Sequence, residues 1–247
     1  MVSPLAQRYG EVQASISAAC AAASRERSSV ELIVISKFHP AQLVLDLMLL
    51  GQHTFGENKD QEARPKFAEV NAALANDARY AQLAAPDVHF VGQLQSNKAK
   101  SVLRYASTIH SLDRESLLAA LAKERANLAA AAETSQTPPT GVFIELNLTD
   151  DPARGGIQPA NLLGFAEKVL ATDGLKLLGV MGVATLEGEE ERDFATIAAA
   201  SRSLQTLAPD ARFISAGMSG DYALAIAHGA THLRIGTAIT GPRQYLA

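Results

Sequence analysis

The sequence predicts one α/β domain spanning residues 1–247, a (β/α)8 TIM barrel with an extra N-terminal helix. Three observations carry this. Short β-branched runs recur eight times, each followed by a longer stretch rich in Ala and Leu, the alternation that yields right-handed crossovers and a parallel sheet. The length of 247 residues suits closure of eight such units into a barrel. No Gly-x-Gly-x-x-Gly follows the first run, which weakens the case for an open dinucleotide-binding sheet.

Taken in order, the helix ahead of the barrel is expected over Leu5–Arg25. Its alanines around Cys20 loosely mimic a leader peptide, but Glu11, Gln13 and Ser15 interrupt any apolar core, so an amphipathic surface helix is the reading. Strands are expected at Leu32–Ser36, His53–Phe55, Val88–Val91, Thr108–Ser111, Val142–Asn147, Leu175–Met181, Arg212–Ser215 and His232–Ile235. The helices between them are Pro40–Leu50, Lys59–Ala73, Asn97–Leu103, Arg114–Ala132, Pro159–Ala171, Glu190–Leu207 and Asp221–His228, with a last turn after Thr237. Pro40 and Pro159 suit first-turn positions, and Gly51 and Gly229 can stop the helices before them. Asn71–Asp87 reads as a helical extension plus a loop, and Ala132–Thr140, with Thr134, Ser135, Gln136, Thr137, Pro138 and Pro139, as a surface loop.

Composition narrows the function. Hydrophobic residues make up 47%, charged residues 19%, and the net charge is −4, which gives no support to a nucleic-acid partner or an anionic membrane surface. The single cysteine, Cys20, rules out an intramolecular disulfide and makes a reducing cytoplasm the natural setting. No stretch approaches a membrane span. The histidines at 39, 53, 89, 110, 228 and 232 show no paired metal-ligand spacing, and each reads as a core or loop residue. The acidic run Glu187–Glu191 reads as a solvated helix start. Gly-x-Ser-x-Gly does not occur.

The residues that carry chemistry begin with Lys37, which closes Val34-Ile35-Ser36-Lys37. It is either a strand end stepping into solvent or a lysine delivered to the barrel mouth. Ser36 and Lys37 face opposite sides of a strand, so only one points inward. A lysine in such a mouth can be an amine nucleophile toward a carbonyl. The candidate partner is Ile214-Ser215-Ala216-Gly217-Met218-Ser219-Gly220-Asp221, where a strand enters a glycine turn and Ser219 stands at an expected helix N-cap. Leu233-Arg234-Ile235-Gly236-Thr237 repeats the pattern, and the loops after strands seven and eight are where barrels frequently bind phosphate. Taken singly, these glycines are equally ordinary turn residues. Alternation puts Arg234 on one face with His232, and a buried arginine needs a partner. A lysine, a double phosphate cradle and an arginine together suit pyridoxal 5′-phosphate (PLP). An arginine facing the pyridine nitrogen stays protonated and gives it no proton, so the ring is a poor electron sink.

With these residues in hand, the chain resembles the YggS/PROSC family of PLP homeostasis proteins over nearly its whole length. The resemblance is carried by Ser36-Lys37, Phe55-Gly56-Glu57-Asn58, the string His89-Phe90-Val91-Gly92-Gln93-Leu94-Gln95-Ser96-Asn97-Lys98, Gly217-Met218-Ser219 with Asp221, and Arg234-Ile235-Gly236-Thr237. It implies a fold like the N-terminal domain of alanine racemase. It further implies a Schiff base to PLP on Lys37, a phosphate cup of Ser219, Gly236 and Thr237 lined also by Ser215, Gly217 and Met218, and Arg234 at the ring nitrogen. Asn58 reads equally as a ring-side contact or as the N-cap of the next helix. His89, Gln95, Asn97 and Lys98 either border the pocket mouth or serve the fold. His39 and Arg154 stand where many relatives carry lysines, and Thr240 replaces a common phenylalanine without touching any expected contact.

Three functions compete. The resemblance implies a non-catalytic PLP protein in vitamin B6 and amino-acid homeostasis, a monomer, with PLP-dependent apoenzymes as acceptors. A PLP-dependent racemase-like enzyme would need a second base, which alanine racemase takes from another domain; this chain ends at Arg243-Gln244-Tyr245-Leu246-Ala247, so none is expected. An aldolase-like barrel is disfavoured by a lysine on strand one and by Arg234.

Overall fold

The computed structural model describes residues 3–131, 138–149, 151, 154–185 and 188–242. Eight strands run β1 (Glu31–Ile35), β2 (Thr54–Glu57), β3 (Asp87–Phe90), β4 (Thr108–Leu112), β5 (Thr140–Glu145), β6 (Leu175–Met181), β7 (Phe213–Ser215) and β8 (His232–Ile235). They close a barrel in sequence order, every neighbouring pair parallel. Leu32, Ile33, Val34 and Ile35 are all buried, as a strand covered on both faces requires. Barrel closure pairs Val34 with Ile235, which brings the chain leaving β1 beside Gly236 and Thr237. That register assembles the candidate site.

The helices are α1 (Pro4–Ala22), α2 (Ala41–Leu49), α3 (Asp60–Asn76), α4 (Ala99–Val102), α5 (Glu115–Ala131), α6 (Leu162–Leu170), α7 (Glu190–Leu207), α8 (Tyr222–Ala227) and α9 (Thr237–Thr240). Helix α1 starts at Ser3, whose hydroxyl accepts from Ala6 N–H at 3.2 Å, with Pro4 next. Its buried stripe of Tyr9, Val12, Ile16 and Cys20 packs on α8 and α9. It ends three residues before the expected Arg25, because Ser24 adopts φ 54 and Arg25 instead donates to Ile226 O and Ala230 O.

Other boundaries moved for physical reasons. Strand β2 runs on to Glu57, two residues past the expected end at Phe55; there Lys66 pairs with the buried Glu57 carboxyl. Pro159 opens a 3-10 turn over Pro159–Asn161 before α6 instead of the helix itself. The 71–87 stretch holds the expected helical extension and loop, with a 3-10 turn at Ala78–Tyr80 between them and Asp87 already in β3. Gly51 and Gly229 follow the ends of α2 and α8 at φ 92 and 96. The expected loop residues Thr134–Thr137, Glu187 of the acidic run and the terminal 243–247 lie outside the described residues. No helix among the described residues is long and apolar enough to cross a membrane, and those residues hold no cluster suited to a metal ion.

Candidate cofactor site

At the C-terminal ends of the strands lies a cavity of about 480 Å3, within the range of small-molecule sites. Residues from the turns after β1, β2, β3, β6, β7 and β8 line it, and Lys37, Asn58, Met218, Ser219, Arg234, Gly236 and Thr237 are among them. Seven of the nine residues singled out by sequence therefore meet in one place; Ser215 and Gly217 are not among the lining residues.

Lys37 is one residue further from the sheet than expected. Strand β1 stops at Ile35, and Ser36 turns inward, fully buried, its hydroxyl donating to Glu57 Oε1 at 2.8 Å. Lys37 then rides a turn in which His39 N–H donates to Ser36 O at 3.2 Å and Phe38 takes φ 66. A positive φ at a residue with a bulky side chain costs about 1–2 kcal/mol, so the turn must be held from outside. Helix α3 does this twice. Lys66 Nζ donates to Ser36 O at 2.8 Å and to Glu57 Oε1 at 2.6 Å, and Glu62 Oε2 accepts from Phe38 N–H at 3.2 Å. Burial pushes the Glu57 carboxyl up, with Lys66 and Ser36 opposing.

Asn58 is not the N-cap of α3; that position falls to Lys59. Asn58 lines the cavity instead, and its side-chain Oδ1, closed off from solvent, has no hydrogen-bond partner among the described residues. A buried orphaned acceptor in a cavity-lining residue is a group that a small side-chain shift would offer to a ligand donor. Gly92 presses on this residue: a Cβ there would lie 2.3 Å from Asn58 O. That is the physical content of the glycine in the His89–Lys98 string.

The residues expected to form a cup lie at the ends of β7 and β8, with altered local roles. Gly217 has φ 95, and a Cβ on it would meet Ala225 Cβ at 2.8 Å, so it makes the turn without lining the cavity. The N-cap of α8 is Asp221, not Ser219, and Asp221 Oδ1 accepts from Met218 N–H at 2.5 Å. The turn uses up the residues before Tyr222, which leaves the Ser219 hydroxyl exposed at the cavity. Gly236 is the N-cap of α9 and Thr237 its first residue. The N–H groups of Ser219, Gly220, Gly236 and Thr237 donate to no described residue. Four free amides and two hydroxyls around one cavity suit a phosphate. With α8 six and α9 four residues long, these local donors matter more than any helix dipole.

Ser215 does not belong to the cup. It is fully buried beneath it, and its hydroxyl and carbonyl accept from Arg234 Nη1 at 2.6 and 2.7 Å. Arg234 Nη2 donates to Gly182 O at 2.9 Å, while no described residue accepts from Nε. Arg234 is 7% exposed; burial lowers its pKa to about 10, with Glu145 and Asp221 opposing. It stays a cation at neutral pH.

Sequence reasoning missed several lining groups. Ile35, Val91 and Val183 carry no signal beyond being apolar. Thr240, expected to lie clear of the proposed contacts, is buried and lines the cavity, as does His39. His39 is lowered by burial, then by Lys66 and Arg8. Arg154 is not among the lining residues; its carbonyl accepts from Asn147 Nδ2 at 3.0 Å. Asn97 and Lys98 border a neighbouring cleft with Arg64 and Arg104, and His89 points toward the opposite end of the barrel.

These features agree with the known proteins the chain is similar to. Residues 14–244 match the family described as alanine racemase, N-terminal domain. A pyridoxal phosphate homeostasis protein of Mycobacterium bovis is 36% identical over 245 residues, 98% of this chain and 94% of that protein. One from Escherichia coli K12 is 32% identical over 247 residues, 99% of each. The structure of PipY from Synechococcus elongatus with PLP bound matches at a TM-score of 0.78 and 30% identity, covering 96% of this chain and 100% of that one. Alanine racemase from Corynebacterium glutamicum shares the fold, at a TM-score of 0.62 and 11% identity. Fold and site together define a barrel of the alanine racemase N-terminal type. Within that class the chain belongs to the family of pyridoxal phosphate homeostasis proteins.

Proposed function

We propose that this protein holds PLP on Lys37 and serves intracellular PLP and amino-acid homeostasis as a non-catalytic carrier in the cytoplasm. The observation that carries this is one cavity shared by Lys37, four amides unpaired among the described residues, and Arg234. Lys37 would hold the group through its amine, and PLP, when bound, would supply an aldehyde for that covalent attachment. The remaining roles belong to the chain. Ser219, Gly220, Gly236 and Thr237 grip the phosphate, Asn58 Oδ1 accepts a hydrogen bond at the ring side, and Arg234 donates toward the ring nitrogen. Because a guanidinium keeps its protons near neutrality, the nitrogen is held as an acceptor and not protonated. That favours retention over carbanion chemistry.

A racemase-like reading needs a second proton-transferring group. Apart from Lys37 and Arg234, His39 is the one titratable side chain among the described lining residues, so it is the one candidate for that group there. The relatives carry the name of homeostasis proteins and not of enzymes. Acceptor apoenzymes and a monomeric state complete the proposal.

Purified protein given PLP should show a visible absorbance band that borohydride removes while fixing the added mass on Lys37, and Lys37→Ala should lose both. A wild type without the band overturns the proposal. Turnover of L-amino acids well above free PLP, lost in His39→Ala, would favour the racemase-like reading instead.

A further inference from the structure

The barrel interior holds a connected set of polar side chains for which the cofactor cavity has no direct use. Arg234 Nη1 lies 2.6 Å from Ser215 Oγ, and Ser215 Oγ lies 2.8 Å from His110 Nδ1. His110 Nε2 is 2.9 Å from His89 Nδ1, and His89 Nε2 is 3.2 Å from Asp87 Oδ2. Ser215 and His110 are fully buried and His89 is 4% exposed. The series starts at the cavity wall and ends in a recess at the opposite end of the barrel, bordered by Glu31, Asp87, His89 and His232.

Donor and acceptor inventories give the series one direction. A guanidinium only donates, so Ser215 Oγ accepts from it and passes its own proton to His110 Nδ1. That nitrogen is then an acceptor, and the neutral ring carries its proton on Nε2, aimed at His89 Nδ1. His89 in turn carries its proton on Nε2 and donates to Asp87, a carboxylate that only accepts when ionised. A charged His110 would place a second N–H against the serine hydroxyl, whose own proton would have no acceptor. Complete burial, with His89 and then Arg234 nearby, holds His110 well below the ordinary histidine range, in keeping with this direction. His232 packs beside both rings, at 6.3 and 6.4 Å between centroids, but its Nδ1 is engaged with Thr231 Oγ1.

We propose that His110 and His89 are positioning residues for the cofactor: acting through Ser215, they lock the Arg234 guanidinium in one orientation and so set the hydrogen bond it makes to the pyridine nitrogen. This rests on the PLP reading above. It assigns the buried imidazoles a role in tuning a ligand they do not touch, and networks of this kind are worth more than pairwise contacts suggest.

The test compares wild type, His110→Phe, His110→Asn, Ser215→Ala and the double variant Ser215→Ala/His110→Phe, titrated with PLP and followed by the visible band. His110→Phe should shift the band and weaken retention by on the order of threefold to tenfold, the effect of one lost hydrogen bond. His110→Asn, whose amide oxygen can replace Nδ1 as acceptor, should recover most of both, and His110→Phe should add nothing once Ser215 is alanine. In 15N NMR of the protein without PLP, His110 should carry its proton on Nε2. An unchanged band and affinity in both His110→Phe and Ser215→Ala, an equal effect of His110→Phe in the Ser215→Ala background, or the opposite tautomer would each overturn the proposal. Should His110→Phe fail to fold, Ser215→Ala and the tautomer decide. A wild type with no band sinks the cofactor reading itself, a result distinct from a normal wild type with silent variants.

Discussion

Lys37 depends on a neighbour that never reaches the cavity. Lys66, 8% exposed, pins the carbonyl of Ser36 and neutralises Glu57, so one side chain both fixes the turn and prevents an isolated buried carboxylate. Lys66→Met leaves that carboxylate without its counter-charge. Breaking such a pair costs about 3–5 kcal/mol, and urea unfolding at pH 7 should show a loss of that order. Adding Glu57→Leu should recover most of the loss, because replacing both partners of a buried pair by apolar groups is close to neutral. A loss under about 1 kcal/mol in the single variant would show that the pair holds nothing. Neither Lys66 nor its part in the turn could be read from sequence: a lysine in the middle of a helix looks solvated, and only the inward turn of Ser36 gives it an acceptor.

Among the elements, α1 matters beyond covering the barrel. The four-residue α9 cannot hold its own shape, since a single turn lies below the length at which helices propagate. Arg8 of α1 supplies what it lacks, with Nε donating to Ile239 O at 2.8 Å and Nη2 to Thr240 O at 3.4 Å. Arg25 does the same behind α8. The N-terminal segment, Arg8 in α1 and Arg25 just beyond it, thus clamps both short helices beside the proposed phosphate site. Arg8→Ala should lower unfolding stability by about 1–2 kcal/mol, as expected for losing hydrogen bonds from a charged donor, and should weaken PLP retention alongside. Retention and unfolding midpoint both at wild-type values would refute the clamp. An amphipathic helix over this stretch was legible in its apolar spacing, but what it grips depends on residues more than 200 positions away.

Across the whole molecule, the barrel encloses imidazoles at the end opposite the cavity. His232 is lowered to about 3, mainly by burial, with His89 also lowering it and Asp87 opposing. Its folded pKa lies below the ordinary value near 6.5, so unfolded chains bind a proton that folded ones refuse. The stability it contributes is complete above pH 6.5 and is lost progressively toward pH 3. Against His232→Phe, the wild type should therefore lose ground as pH falls from 7.5 to 5, by at most about 1.4 kcal/mol per pH unit below 6.5. Urea melts at several pH values check this; a gap between the two proteins that stays constant over that range would overturn it.

The sequence by itself determined the barrel, the order of its units and the identity of the residues that meet at its mouth. Alternating periods of hydrophobicity and glycine turns are local properties, readable wherever they occur. Lys37, Gly236 and Arg234 were legible because each interrupts such a pattern in its own segment. Tertiary structure alone decided how those residues are held. Closure of β1 on β8 set Lys37 beside Gly236 and Thr237, α3 imposed the strained turn, and Asp221 displaced Ser219 from the N-cap. It also turned Ser215 from a cup residue into the support of Arg234, joined to two histidines from other strands. The physical reason is common to all of these. Burial makes polar groups find partners, and the partner is chosen by which segments lie close in space, not by their position in the chain.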